Sequence, residues 1–134
     1  LNPVELNENP QLQQRITHDL TACPALPLES DRFDAVVVTV SVQYMTRPVE
    51  TFAEVRRLLK VGGLFHVVFS DRMFPTKAVA IWSSLSEAER RAELIAAYFI
   101  AAGGWSEPEF IDKSPPQAKH SWGDPVYVVR ARKL

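Results

Sequence analysis

The sequence predicts an α/β domain in which parallel strands are joined through a helix. Three observations predict it. Residues 34–41 are apolar without alternation, carrying Val36, Val37, Val38 and Val40, the pattern of a strand covered on both faces. A second apolar run, Leu64 to Phe69, follows Gly62-Gly63. Between them, Phe52, Val55 and Leu59 fall on one helical face, with Glu54, Arg56 and Arg57 around it.

The remaining elements follow in order. Residues 1–14 are polar and broken by Pro3 and Pro10, so they allow only a short helix near Val4 to Asn7. Arg15 to Asp19 fits a short strand, and residues 22–32 form a loop with Pro24 and Pro27. Thr46-Arg47-Pro48 starts the helix, because proline is tolerated in a first turn, and Gly62-Gly63 are expected to stop it. A helix is expected over residues 76–85. Ser86-Glu87-Ala88-Glu89 reads as a capping box opening another, which ends at Gly103-Gly104. Residues 109–112 and 126–131 read as strands separated by a proline-containing loop, residues 114–123. Trp82, Tyr98 and Phe99 are expected in the core.

Composition narrows the function classes. The chain has 134 residues, 46% of them hydrophobic, enough for one domain with a real core. A formal net charge of −1 gives no general pull toward nucleic acid. No apolar run approaches the ~20 residues a membrane helix needs. The single cysteine, Cys23, does not indicate an oxidising compartment, so a cytoplasmic protein is expected. The chain opens at Leu1 rather than Met and has no charged-then-apolar leader, which reads as a trimmed piece without a signal peptide. His18, His66 and His120 are too scattered for a metal site, and His66 is expected to be a packed, hydrogen-bonded strand residue.

Phe33-Asp34 opening a valine-rich strand, then a helix, then Leu58-Leu59-Lys60-Val61-Gly62-Gly63 before the next strand, resembles the class I S-adenosylmethionine-dependent methyltransferases. Val61 stands where the family usually has proline. Leu26-Pro27-Leu28 and Ser30-Asp31-Arg32 also match the family's loop, and the tail of helix, strand, loop and strand fits its end. The resemblance covers only the C-terminal part of the family domain. It implies a partial Rossmann-like α/β sheet with an antiparallel C-terminal strand and helices on both faces.

It also implies candidate residues. Asp19 and the backbone of Leu20 fall where the family grips the adenine, a carboxylate suiting an exocyclic amine because it only accepts hydrogen bonds. Asp19 on its own reads equally as a turn-capping residue. Thr39, Val40 and Ser41, at a strand's carboxyl end, fall near the cofactor's methionine part; ligands of open α/β sheets sit outside such ends. Gln43 and Tyr44 are candidates for the acceptor pocket, although Tyr44 also fits a packed aromatic. Asp71 and Arg72, after the next strand, face the acceptor by the same rule or form an ordinary loop.

The family's glycine-rich cofactor loop and the acidic residue that holds the ribose are not visible in these residues. A nicotinamide-binding domain needs such a loop too. In the family's strand order (three, two, one, four, five, seven, six), removing strands one and two exposes the edge of the fourth, here the valine strand. Two readings follow. One is methyl transfer to a small-molecule acceptor with S-adenosylmethionine as cofactor, incomplete in this chain. The other is a non-catalytic module acting in assembly. For the isolated piece, the exposed edge predicts a homodimer, or the N-terminal segment folding onto it.

Overall fold

The computed structural model describes residues 3–116 and 123–134. In chain order the elements are α1 (Pro3–Glu8), β1 (Phe33–Thr39), a 3-10 turn (Val42–Tyr44), α2 (Pro48–Leu58), β2 (Leu59–Phe69), α3 (Ala80–Ser83), α4 (Ala88–Ala102), β3 (Glu109–Asp112) and β4 (Tyr127–Arg132). The four strands form one sheet in the order β1-β2-β4-β3. β1 runs parallel to β2, with Val36 opposite Phe65 and Val38 opposite Val67. β4 is antiparallel to β2 and to β3. The partial Rossmann-like sheet expected from the sequence is therefore present.

α2 begins with Pro48 in its first turn and ends at Leu58. The glycine pair does not stop it. β2 has already begun at Leu59, and Gly62 and Gly63 lie inside that strand, where its register against β1 slips between Phe33 and Ala35. The bulge explains why glycine is needed. Gly62 has φ +82°, and a Cβ on Gly63 would stand 2.9 Å from the Lys60 carbonyl oxygen and 3.0 Å from that of Asp34.

Aromatic side chains hold the helices to one sheet face. Phe52 of α2 meets Phe65 of β2 at 4.9 Å and Phe99 of α4 at 4.8 Å, and Phe99 meets Trp105 at 5.1 Å. Edge-on pairs of this kind add about 0.5–1.5 kcal/mol each beyond area burial. Trp82 of α3 closes on Phe69 of the same face. Trp82, Tyr98 and Phe99 are all buried, as expected. Arg56 ties α2 to α4 by donating to the carbonyls of Ala102 and Gly103 at the α4 C-terminus, where a cation also suits the helix dipole.

The opposite face is much barer. Ala35, Val37 and Thr39 are exposed there, beside half-buried Leu64, His66 and Val68, and Val37 is 59% exposed. α1 buries no residue. Among the described residues, α2, α3 and α4 give the fold its helical layer on one face. His66 is half-buried without a ring hydrogen bond to a described residue; burial, then Arg130 and Arg132, pull its pKa below the ordinary value.

Three local expectations are corrected. Residues 15–19 form no strand, because a strand needs a ladder partner and the segment has none; the chain after it, residues 26–30, lies instead along α2. There the Leu26 amide donates to Glu54, and Arg57 donates to the Leu26 carbonyl at 3.1 Å and the Ser30 hydroxyl at 3.0 Å. The N-terminal segment thus does not fold onto the β1 edge, which stays open among the described residues. The helix expected over 76–85 shrinks to α3, because the Val79 amide bonds the Gln43 carbonyl at 2.9 Å and holds Val79 extended. The capping box at Ser86 does not form: α4 starts one residue later, behind an extended Glu87 with no side-chain cap. No described helix is long and apolar enough to cross a membrane. His120 lies outside the described residues.

Glu54 anchors the N-terminal segment, and its side chain is only 9% exposed. The hydrogen bond from Arg57 leads in holding its carboxyl below the ordinary 4.5. Its folded pKa is depressed, so its stabilisation is complete above pH 4.5 and fades as the pH falls through the folded value. Glu54→Gln is expected to cost about 1–3 kcal/mol at neutral pH in urea denaturation, with the gap closing in acid. A gap independent of pH would contradict this role.

Candidate functional site

The carboxyl ends of β1 and β2 lie side by side because the strands are parallel. β1 ends abruptly at Thr39. Val40 has φ +49°, the left-handed region that a β-branched residue rarely enters. Such strain costs of order 1–3 kcal/mol and persists only where the surroundings impose it. Here the Val40 amide bonds the Val68 carbonyl at 2.9 Å, and the Ser41 hydroxyl donates to the Thr39 carbonyl at 2.8 Å. The chain then reverses through the 3-10 turn, which delivers Tyr44 toward the loop after β2.

Tyr44 fastens that loop. Its hydroxyl oxygen accepts the Phe74 amide at 2.9 Å, and the two rings stack at 6.5 Å with 30° between planes. Val40, Tyr44 and residues 71–75 line a cavity of 590 Å³, within the range of small-molecule sites. Lys77 places its ammonium 5.3 Å from the Phe74 ring centre. Arg72 is paired with Asp124, which raises its pKa. Asp71 is exposed and has no ion pair among the described residues.

Two further polar residues close to this end of the sheet, Gln43 and Arg91, are buried. Gln43 is 1% exposed, does not line the cavity, and its side-chain oxygen has no partner among the described residues. Arg91 is 6% exposed, sits 5.0 Å from the Trp82 ring, and its Nε has no partner among the described residues. Burial lowers its pKa and Asp71 opposes the shift.

The cavity thus unites Val40, Tyr44, Asp71 and Arg72, with Thr39 and Ser41 flanking Val40. Asp19 and Leu20 lie in a separate turn. The Asp19 carboxylate accepts the Thr21 amide at 2.9 Å, capping that turn. The Thr21 hydroxyl approaches that of Thr46 at 3.5 Å, which brings the turn to the segment leading from β1 into α2. Cys23 is exposed, and no group of metal-ligating side chains exists among the described residues. Sequence reasoning missed Arg91, although its spacing to Ile95, Tyr98 and Phe99 puts it on the buried stripe of α4. Nothing in the sequence signalled the left-handed Val40.

Tyr44→Phe removes the acceptor of the Phe74 amide. Hydrogen exchange is expected to quicken at Phe74 while global stability falls by no more than about 1 kcal/mol, the loop being exposed. Unchanged protection at Phe74 would show that the hydroxyl does not hold the loop.

Comparison with known proteins bears on this geometry. A family model described as a methyltransferase domain matches residues 4–67. No curated protein matches the chain. Among solved structures, the chain is similar to a Thermotoga maritima S-adenosylmethionine-dependent methyltransferase described as a possible histamine N-methyltransferase. The TM-score is 0.56 at 19% identity, over 83% of this chain and 60% of that one. It is similar to the cyclase SpnF (TM-score 0.54, 21% identity, 82% of this chain and 54% of that one). It is also similar to a geranyl diphosphate C-methyltransferase from Streptomyces coelicolor (0.51, 14%, 83% and 50%), solved with S-adenosyl-L-homocysteine. At these identities the likeness shows the fold alone. The chain spans roughly half to three-fifths of the length of these structures.

Proposed function

We propose that the chain is the C-terminal portion of a class I S-adenosylmethionine-dependent methyltransferase domain and forms its acceptor side; the methyltransferase-domain match over residues 4–67 and the fold support this reading. The reaction would be methyl transfer to a small molecule, in the cytoplasm. The observation that carries this reading is the cavity at the carboxyl ends of β1 and β2, behind the strained Val40.

The residues present fit part of the cofactor. Backbone groups of Thr39, Val40 and Ser41 would hold its methionine end, and Asp19 with the Leu20 amide its adenine. No glycine-rich turn is among the chain's residues to cradle the remainder, so further sequence would have to supply it. The cofactor, when bound, supplies an electrophilic methyl group. The chain's residues would do the aligning: Tyr44 fixes the 71–75 loop, and the loop shapes the space for the acceptor. Alignment alone supplies much of the acceleration in transfers of this kind, which demands no strong base motif.

A second reading is a non-catalytic module acting in assembly, and the open β1 edge favours it. Val36 to Val40 carry no charge, and Asp34 at the strand's start is matched by Lys60, so little guards that edge against a second copy. The fold itself does not decide between the readings, since one fold hosts many functions.

Calorimetry with S-adenosylhomocysteine, run beside light scattering, tests both. The enzyme reading expects binding in about the micromolar range by this chain, or binding restored once upstream sequence is added. No binding in either form, with a homodimer in solution, would replace it by the assembly reading.

A further inference from the structure

The cavity at the strand ends combines aromatic faces with one exposed carboxylate, Asp71, which forms no ion pair among the described residues. Tyr44 and Phe74 present stacked rings, with Phe74 66% exposed, and Val40 and Met73 add apolar surface. Among the described residues, each side-chain cation nearby already has a position. Arg72 is paired with Asp124, Arg91 is buried on Trp82, and Lys77 rests on the Phe74 ring. Asp71 is the exposed anion on the lining without an ion pair among the described residues. Aromatic faces attract cations through the ring quadrupole, and such sites recognise alkylated ammonium groups. The Lys77 contact shows that the Phe74 ring takes an ammonium in this setting.

We infer that this cavity binds an organic ammonium, an amine or alkylated amine, seated on the Tyr44–Phe74 rings with Asp71 as counter-ion. The inference rests on the reading of the cavity as the acceptor end: the acceptor carries the ammonium as its recognition group, and transfer to that nitrogen itself would require an amine that first gives its proton to water or to the Asp71 carboxylate, leaving a lone pair to take the methyl. The ligand ammonium takes over the ring face that Lys77 now occupies. Its carbon substituents lie against Val40 and Met73, and the Asp71 carboxylate sets the preference for positive charge.

Choline, its uncharged carbon isostere dimethylbutanol, and benzoate are the probes, titrated into the 134-residue chain by NMR. Choline is expected to bind about tenfold tighter than the isostere. Asp71→Asn should remove most of that preference, and Phe74→Leu should weaken choline about threefold. Lys77→Ala should strengthen choline binding by vacating the ring. Thermal melts establish that each variant folds. Equal binding of choline and the isostere, tighter binding of benzoate, or indifference to Asp71→Asn would overturn the inference. Calorimetry with S-adenosylhomocysteine reads the parent proposal separately. Choline selectivity without nucleoside binding leaves the ammonium site standing, and nucleoside binding without selectivity removes it.

Discussion

Everything in this molecule depends on the parallel pairing of β1 with β2. It brings two carboxyl ends to the same level, and the loops leaving them form the cavity. An antiparallel pairing would set the end of one strand against the start of the other. Tyr44 could then not reach Phe74. α2 makes the parallel arrangement attainable, since parallel neighbours need a long crossover, and Phe52 packing on Phe65 fixes where that crossover lies.

The same pairing leaves a one-sided structure. The aromatic cluster of Phe52, Phe65, Phe99 and Trp105 builds a core on one sheet face, while Val37 on the other is largely exposed. β1 is more apolar than its present surroundings require. A strand reading as doubly covered, found with one ladder partner and one covered face, carries a pattern suited to a larger sheet.

Much of the fold was legible in the sequence. Unbroken apolar runs located β1 and β2, the 3.6-residue spacing of Phe52 and Val55 located α2, and the terminal strands read correctly. What failed depended on neighbours. Residues 15–19 have strand-like composition but no partner, and Glu54 with Arg57 draws the segment after them onto α2. Gly62-Gly63 resemble a helix stop, yet their close contacts with Lys60 and Asp34 are needed within β2. The site was legible as a place, since strand ends are where such sheets bind ligands. Its details were not: a left-handed Val40 and a buried Gln43 follow from tertiary hydrogen bonds that no local pattern records.

Amide hydrogen exchange along β1, in dilute solution, tests the central claim most directly. The Val40 amide bonds β2, and strand alternation turns those of Val36 and Val38 the same way, while Ala35, Val37 and Thr39 face the open edge. The account predicts slow exchange at Val36, Val38 and Val40 and fast exchange at the three residues between them. Uniform protection along the strand, unchanged on dilution, would contradict it, because β1 would then have a second intramolecular neighbour.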